Sequence, residues 1–274
     1  MTAAKVELGK KLFFDPRLSV DGTVSCNSCH NVFAAGDDSR NVSAGIKGLT
    51  GGRSAPTVYN AAFLSVQFWD GRAKSLEEQA IGPIANPIEM GMSSHDVAVE
   101  RLKQIPGYVQ EFQQVFGGKN SLTISNVGKA IATFERTLIT PNSPYDKFVK
   151  GDKKALASDA QKGWKLFQET GCTTCHNGVN FAGPALPEGT GFFQKFPTFP
   201  GTEFDKKYGF TKDLGRYEAT KKDADKHMWR VPTLRNIAVT APYFHNGAVA
   251  TLDEAVRVMA KTQLNKDLKA GEVQ

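Results

Sequence analysis

Cys26-Asn27-Ser28-Cys29-His30 and Cys172-Thr173-Thr174-Cys175-His176 hold all four cysteines of this 274-residue chain. Cys-x-x-Cys-His is the attachment signature of c-type haem. Two thiols three positions apart face the same side of a helical turn, where they can meet both vinyl groups of one haem as thioethers. The next residue then points an imidazole at the iron. A thioredoxin-like redox pair does not need histidine directly after the second cysteine, and a zinc site would require the two halves to pool their ligands. No cysteine remains for a disulfide framework or a thiolate nucleophile. Two covalent haems are expected, with His30 and His176 as the proximal iron ligands.

Each motif has a similar approach. Gly9-Lys10-Lys11-Leu12-Phe13 precedes the first and Gly163-Trp164-Lys165-Leu166-Phe167 the second, and both read as the helix before the haem turn of a small cytochrome c domain. The expected fold is mainly α: two cytochrome c-like domains with one covalent haem each and long irregular loops. The domains are 1–140 and 141–274, joined at Thr140-Pro141-Asn142-Ser143-Pro144, where two prolines follow a strong helix. That helix is expected from Thr123 to Leu138, with Ile124, Val127, Ile131, Phe134 and Leu138 at helical spacing. Ser75-x-x-Glu78 reads as a capping box, and Thr251-x-x-Glu254 caps a helix carrying Leu252, Ala255, Val256 and Met259 on one face. Helices are also expected over Ser94–Ile105 and after Pro106. No sustained period-two alternation appears. Asn31–Pro56 and Gly178–Lys226 read as long loops, each following a haem turn.

A composition of 40% hydrophobic and 23% charged residues is globular, not disordered. No apolar run approaches the ~18 residues of a membrane span. The net charge is +6, but the basic residues form no stripe or arm, which argues against nucleic acid. Haem is attached in this way in the periplasm or an equivalent compartment, so export is expected, although Met1-Thr2-Ala3-Ala4-Lys5 lacks the apolar core of a signal peptide.

Further residues resemble one family. Gly9-Lys-Lys-Leu-Phe-Phe-Asp-Pro-Arg-Leu-Ser19, Phe68-Trp-Asp-Gly-Arg-Ala73, Glu78-Gln-Ala80, Gly82-Pro-Ile84, Pro87-Ile-Glu-Met90, Pro232-Thr-Leu-Arg-Asn236 and Thr240-Ala-Pro-Tyr-Phe-His-Asn-Gly247 are similar to the bacterial dihaem cytochrome c peroxidases. The resemblance covers nearly the whole chain. It implies an enzyme that reduces hydrogen peroxide at the N-terminal haem, with electrons received at the C-terminal haem from a small cytochrome c or cupredoxin. Under it Glu89 is the catalytic acid and base, Gln79 a distal hydrogen-bonding residue and Trp69 the aromatic residue between the haems. Met259 is the sixth ligand of the His176 iron, with Met228 as the fallback, and a thioether there raises the potential. Arg72 is a partner for a haem propionate. The resemblance also implies a homodimer, and calcium on the carbonyls of Thr240 and Pro242, with Ser54 where the family has an asparagine ligand.

The sequence departs from the family in two places. Many members carry a loop histidine that caps the peroxidatic iron until the other haem is reduced; aligning Ser43-Ala-Gly-Ile-Lys-Gly48 with that loop puts Ile46 in its place. The expectation is a peroxidatic iron without a histidine cap, with Lys47 a weaker substitute. Of the other histidines, His95 reads as exposed near a helix start and His245 matches a structural histidine. The chain also closes at Gly271-Glu-Val-Gln274, where relatives continue into a helix that packs back on the N-terminal domain. Two alternative functions remain. A dihaem electron carrier would have both irons saturated by side chains, against which Glu89 and Gln79 argue. A cofactor-maturing dihaem oxidase resembles this pattern but has tyrosine as axial ligand, where Met259 stands here.

Overall fold

A computed structural model describes residues 1–268. The first helix, α1 (Ala3–Phe14), buries Leu8, Gly9, Leu12 and Phe13 against α6 (Ile124–Glu135), whose own inward face is Val127, Ala130, Ile131 and Phe134. Gly9 is required at this crossing, because a Cβ there would fall on the Ala130 carbonyl. Each such fully buried large side chain contributes roughly 1.5–3 kcal/mol relative to exposure. The short helix α2 (Cys26–Cys29) carries the first haem motif, and α3 (Leu76–Ala85), α4 (His95–Lys103) and α5 (Pro106–Phe116) complete this layer. One apolar cluster joins them, including Leu12, Phe13, Ile84, Phe112 and Ile131.

Beyond the Thr140–Pro144 link come α7 (Pro144–Val149), α8 (Ser158–Glu169), α9 (Glu203–Tyr208), α10 (Tyr217–Thr220) and α11 (Leu252–Leu264). A second apolar cluster forms around Phe196, Phe210, Trp229, Tyr243, Val249 and Val258. The link itself is tied to both sides: Thr140 Oγ1 accepts from Asn60 Nδ2 at 2.9 Å and from Asn236 Nδ2 at 3.3 Å. Among the described residues no helix is long and apolar enough to cross a membrane.

The helices expected from periodicity are present with shifted ends. Thr123 is the N-cap of α6, accepting from the Asn126 N–H, and the helix stops at Glu135, three residues short of Leu138. Ser75 caps α3, but the reciprocal half of the box is displaced: the Glu78 carboxylate accepts from Lys74 N–H at 2.8 Å, one residue before the cap. His95 is half-buried, not exposed, with Nε2 at 2.9 Å from the Ile81 carbonyl. The Gly178–Lys226 stretch is less irregular than expected. It contains α9, α10 and β1 (Phe193–Lys195), which pairs antiparallel with β2 (Met228–Arg230). Strands of three residues and helices of four to six are too short to write a period into the sequence. Gly271–Gln274 lie outside the described residues.

Candidate active site

The two halves repeat one frame that begins at Pro56 and Pro232. Asn60 and Asn236 both adopt left-handed backbone (φ 63° and 62°), each opening a single 3₁₀ turn, Ala61–Phe63 and Ile237–Val239. Phe68 and Phe244 are also left-handed, and each begins a turn closed by Gly71 N–H to Phe68 O and Gly247 N–H to Phe244 O. Antiparallel bridges Gln67–Ala73 and Tyr243–Val249 flank those turns. Ser75 and Thr251 then cap α3 and α11. Throughout this frame equivalent residues differ by 176 in number. Trp69 therefore corresponds to His245, and Pro83 to Met259.

In the first half the frame lines a cavity that opens to solvent, with ≈ 1310 Å³ of space free of protein atoms, its open mouth included. Cys26, Cys29 and His30 line it together with Glu89, Gln79, Trp69, Arg72 and Ser54. The expected catalytic trio and the first haem motif are thus in one place. His30 Nδ1 lies 3.0 Å from the Pro56 carbonyl. A ring N–H donating there leaves the Nε2 lone pair free to meet a metal. Burial lowers the His30 pKa, which favours the neutral ring a ligand requires. Two thiols on one turn, an oriented imidazole and a cavity mostly walled by apolar groups fit a covalently held haem.

Glu89 is half-buried on the segment after α3. Burial raises its pKa above the usual carboxylate value, and the Arg72 guanidinium opposes the shift. Arg72 itself lies over the Phe68 ring at 3.5 Å and bonds Asp70 at 3.0 and 3.1 Å, so Asp70 and Phe68 fix its position at the cavity. The Ile46 N–H donates to the Glu89 carbonyl at 2.9 Å, which pins the glycine-rich loop onto the Glu89 segment. The Ile46 side chain points into the first core against Gly91, and neither it nor Lys47 lines the cavity. Lys47 is exposed, so its reading as a substitute ligand is corrected. His30 is the only histidine among the lining residues.

Trp69 faces two ways. It lines the His30 cavity and also packs against the second apolar cluster, while its Nε1–H donates to the Ser54 carbonyl at 2.8 Å. Ser54 N–H donates to the His245 carbonyl at 2.7 Å, so the backbone of this residue is engaged in both directions. Thr240 and Pro242 flank Ala241 in the same half as His245, and the Ala241–Pro242 peptide is cis. Among the described residues no group of three or more His, Cys, Asp or Glu could hold a metal ion.

The second motif repeats the design of the first. Cys172–Thr174 form a 3₁₀ turn after α8, and His176 Nδ1 lies 2.9 Å from the Phe181 carbonyl. Burial lowers the His176 pKa, and the Pro232 backbone, the counterpart of Pro56, acts in the opposite sense. Met259 is half-buried on α11 and packs against the second cluster. Met228 sits on β2, paired with Lys195, while Met90 and Met92 are fully buried in the first core.

Several lining residues carry no sequence signal of their own. Arg53 joins Asp70 at 2.5 Å and Asp213 at 2.7 Å. Arg230 is buried with Nε donating to the Phe68 carbonyl at 3.0 Å, and burial lowers its pKa to about 10. Glu135 is 4% exposed and lines the same cavity. The Pro56/Pro232 frame was a findable signal, carried by Pro-Thr-x-x-Asn, Phe-x-x-Gly and Ser/Thr-Leu-x-Glu in both copies.

Residues 3–154 match the family model described as di-haem cytochrome c peroxidase. The chain is similar to the cytochrome c551 peroxidase of Nitrosomonas europaea, 47% identical over 273 residues, covering 99% of this chain and 77% of that protein. It is 45% identical to the cytochrome c551 peroxidase of Pseudomonas aeruginosa, covering 98% and 75%. A crystal structure of a MauG-like protein associated with microbial copper homeostasis superposes with a TM-score of 0.82 at 29% identity, over 99% of this chain and 79% of that one. By the residues of its site and by these likenesses, the chain belongs to the di-haem cytochrome c peroxidase family.

Proposed function

We propose that this peroxidase reduces hydrogen peroxide in the His30 cavity, with electrons that enter at the His176 side from a small cytochrome c or cupredoxin. The observation that carries the reading is the convergence of Cys26, Cys29, His30, Glu89, Gln79 and Trp69 on one cavity. Cys26 and Cys29 hold one haem as thioethers and Cys172 and Cys175 the other, and when bound these groups supply the one-electron carriers and the iron that cleaves the O–O bond. The carboxylate of Glu89 accepts the proton of the near peroxide oxygen and returns it to the leaving oxygen, giving two waters for two electrons and two protons. Gln79 orients the substrate by hydrogen bonding. Arg72 is the propionate partner, and it also tunes Glu89. Trp69 bridges the cavity and the second core.

The repeated frame supports an asymmetry between the two irons. Met259 occupies the position that Pro83 occupies in the first half, and Pro83 lines the His30 cavity. A thioether at one copy would serve as a ligand to a bound haem, whereas a proline at the other has no donor to give. With Ile46 turned into the core, this loop would supply no histidine cap to an iron held by His30, and the cavity would accept peroxide without prior reduction. The division into domains 1–140 and 141–274, the periplasm as compartment, a homodimer, and calcium on Thr240, Pro242 and Ser54 belong to the same reading.

The test is peroxide turnover by the fully oxidised holoenzyme with reduced donor, beside its spin-resonance spectrum. Turnover without a lag and a high-spin N-terminal signal are expected. A wholly low-spin protein, inactive until half-reduced, would overturn the open-iron assignment. A protein saturated at both irons in every redox state would be an electron carrier only.

A further inference from the structure

Glu135 has no place in the reaction described above, yet its environment is unusual for a carboxylate. It is the last residue of α6, where the helix dipole disfavours negative charge. Its Oε2 is buried without a hydrogen-bond partner. It lines the cavity that Cys26, His30 and Gln79 also line. A buried carboxylate lacking a partner costs far more than a buried carboxylic acid, so the group keeps its proton well above the ordinary carboxylate range unless positive charge is placed beside it. Burial pushes its pKa up to about 8.

The charged and titratable groups around Glu135 do not change this. From α3, Glu77 faces it, and Glu77 is joined to the adjacent Arg136 by bonds of 2.6 and 2.9 Å, so that pair offsets itself. Glu188 stands 3.9 Å from Arg136 on the outer side. From α2 the facing group is Cys26, whose thiol is pushed up by burial and then by Glu135, and which as a haem thioether would be neutral. From α1 the neighbours of this end of α6 are Gly9 and Phe13, which are uncharged.

We propose that Glu135 is a redox-linked proton store of the N-terminal haem cavity, binding one proton from solvent as one electron enters and releasing it as that electron leaves. The electron comes from the donor protein that the peroxidase already uses. Glu135 in its carboxylate form takes up H⁺ on a carboxylate oxygen, and the charge added to the cavity is cancelled. Oxidation reverses both transfers, so charge and protons balance in each direction. The consequence is that electron arrival in this cavity brings a proton with it, in a reaction that consumes two protons for two electrons. The inference rests on the assignment of a haem to Cys26, Cys29 and His30.

The experiment is a spectroelectrochemical titration of the N-terminal haem in the holoenzyme across about pH 6 to about pH 9. In the native protein the reduction equilibrium shifts tenfold per pH unit within the linked window, which is ~59 mV for one electron. In Glu135→Gln the dependence across that window is lost, while Glu89→Gln retains it. A native slope that survives in Glu135→Gln, or that disappears in Glu89→Gln instead, overturns the proposal. If Glu135→Gln fails to take up haem, the reduced-minus-oxidised infrared spectrum of the native holoenzyme decides, beside Glu135→Asp. A protonated-carboxyl C=O band that appears on reduction and moves in Glu135→Asp is expected, and its absence from the native spectrum overturns the proposal. Failure of the underlying haem assignment is separable, because a Cys26→Ala/Cys29→Ala protein would then carry as many covalent haems as the native protein.

Discussion

At the scale of single residues the cavity separates carboxyl groups by environment. Glu89 is half-buried and pushed up by desolvation, with Arg72 pulling in the other direction. Its carboxylate form is the one that accepts the peroxide proton, so turnover rises with pH through a value above the ordinary carboxylate range. The acidic limb of kcat/KM for peroxide reports that value, and Glu89→Gln is expected to remove the limb and to lower kcat/KM by roughly 10²–10⁴-fold. Glu135 affects stability as well. Its folded-state pKa is raised, so its contribution is fully present below the unfolded value and is lost as pH rises through about 8. Native protein is therefore expected to lose thermal stability relative to Glu135→Gln between about pH 5 and about pH 8, at ~1.4 kcal/mol per pH unit within that window, and to lose no more above it. Scanning calorimetry at several pH values measures the difference, and parallel curves would count against a raised carboxyl at this site.

At the scale of elements, the glycine-rich loop and the Glu89 segment behave as one unit. Gly45 lies so close to the Ile88 and Glu89 carbonyls that a Cβ would collide with both, and Gly91 (φ 70°) accepts the Ile46 side chain in the same way. Gly45→Ala is expected to cost about 1–3 kcal/mol and to depress peroxide turnover by moving Glu89, as read from thermal midpoints and kcat together. The helix α11 is held by its Thr251 cap and by Glu254, which accepts from Tyr208 Oη at 2.7 Å and from Arg257 at 2.8 Å. Met259→Leu should leave that packing intact, since the two side chains are similar in volume. It should lower the potential of the His176 haem and abolish any sulfur-to-iron charge-transfer band. These elements were unevenly legible in the sequence. The Cys-x-x-Cys-His turns announce themselves because the chemistry fixes both residue type and spacing, and α6 and α11 because a buried face repeats every 3.6 residues. The position of Ile46 was legible as a substitution, but not its orientation, since an isoleucine facing a cavity and one facing a core read alike. Glu135 was illegible: it falls in the run Phe134-Glu135-Arg136-Thr137 at the end of a helix, where charge ordinarily signals solvent.

At the scale of the molecule, charged contacts between distant parts of the chain set the position of Trp69. Arg53 precedes Ser54, whose carbonyl holds the Trp69 indole, and its guanidinium reaches Asp70 and Asp213 together while lying 5.1 Å from the Trp229 ring. Burial would raise Asp213, but the Arg53 hydrogen bonds hold it below its ordinary value. The same region is fastened by Arg230, whose N–H donates to the Trp69 carbonyl at 2.9 Å, and by Arg216, which donates to the Asp70 carbonyl at 2.9 Å. No periodicity or motif reports such contacts, because apart from Arg53 and Asp70 their partners lie 146 or more positions apart in the chain. Removing one member of a buried pair strands the other. Arg53→Ala is expected to destabilise the protein by roughly 3 kcal/mol, at the low end for a buried ion pair because Arg72 continues to hold Asp70. Arg53→Lys keeps the charge but not the fork that spans two carboxylates, so it should recover only part of the loss. If these contacts also keep Trp69 in register between the two cores, electron transfer from the His176 side slows in Arg53→Ala even where the fold is intact. Stopped-flow oxidation of the reduced donor by peroxide then shows a smaller rate in folded Arg53→Ala at unchanged donor affinity. A rate equal to that of the native protein would confine Arg53 to a purely structural role.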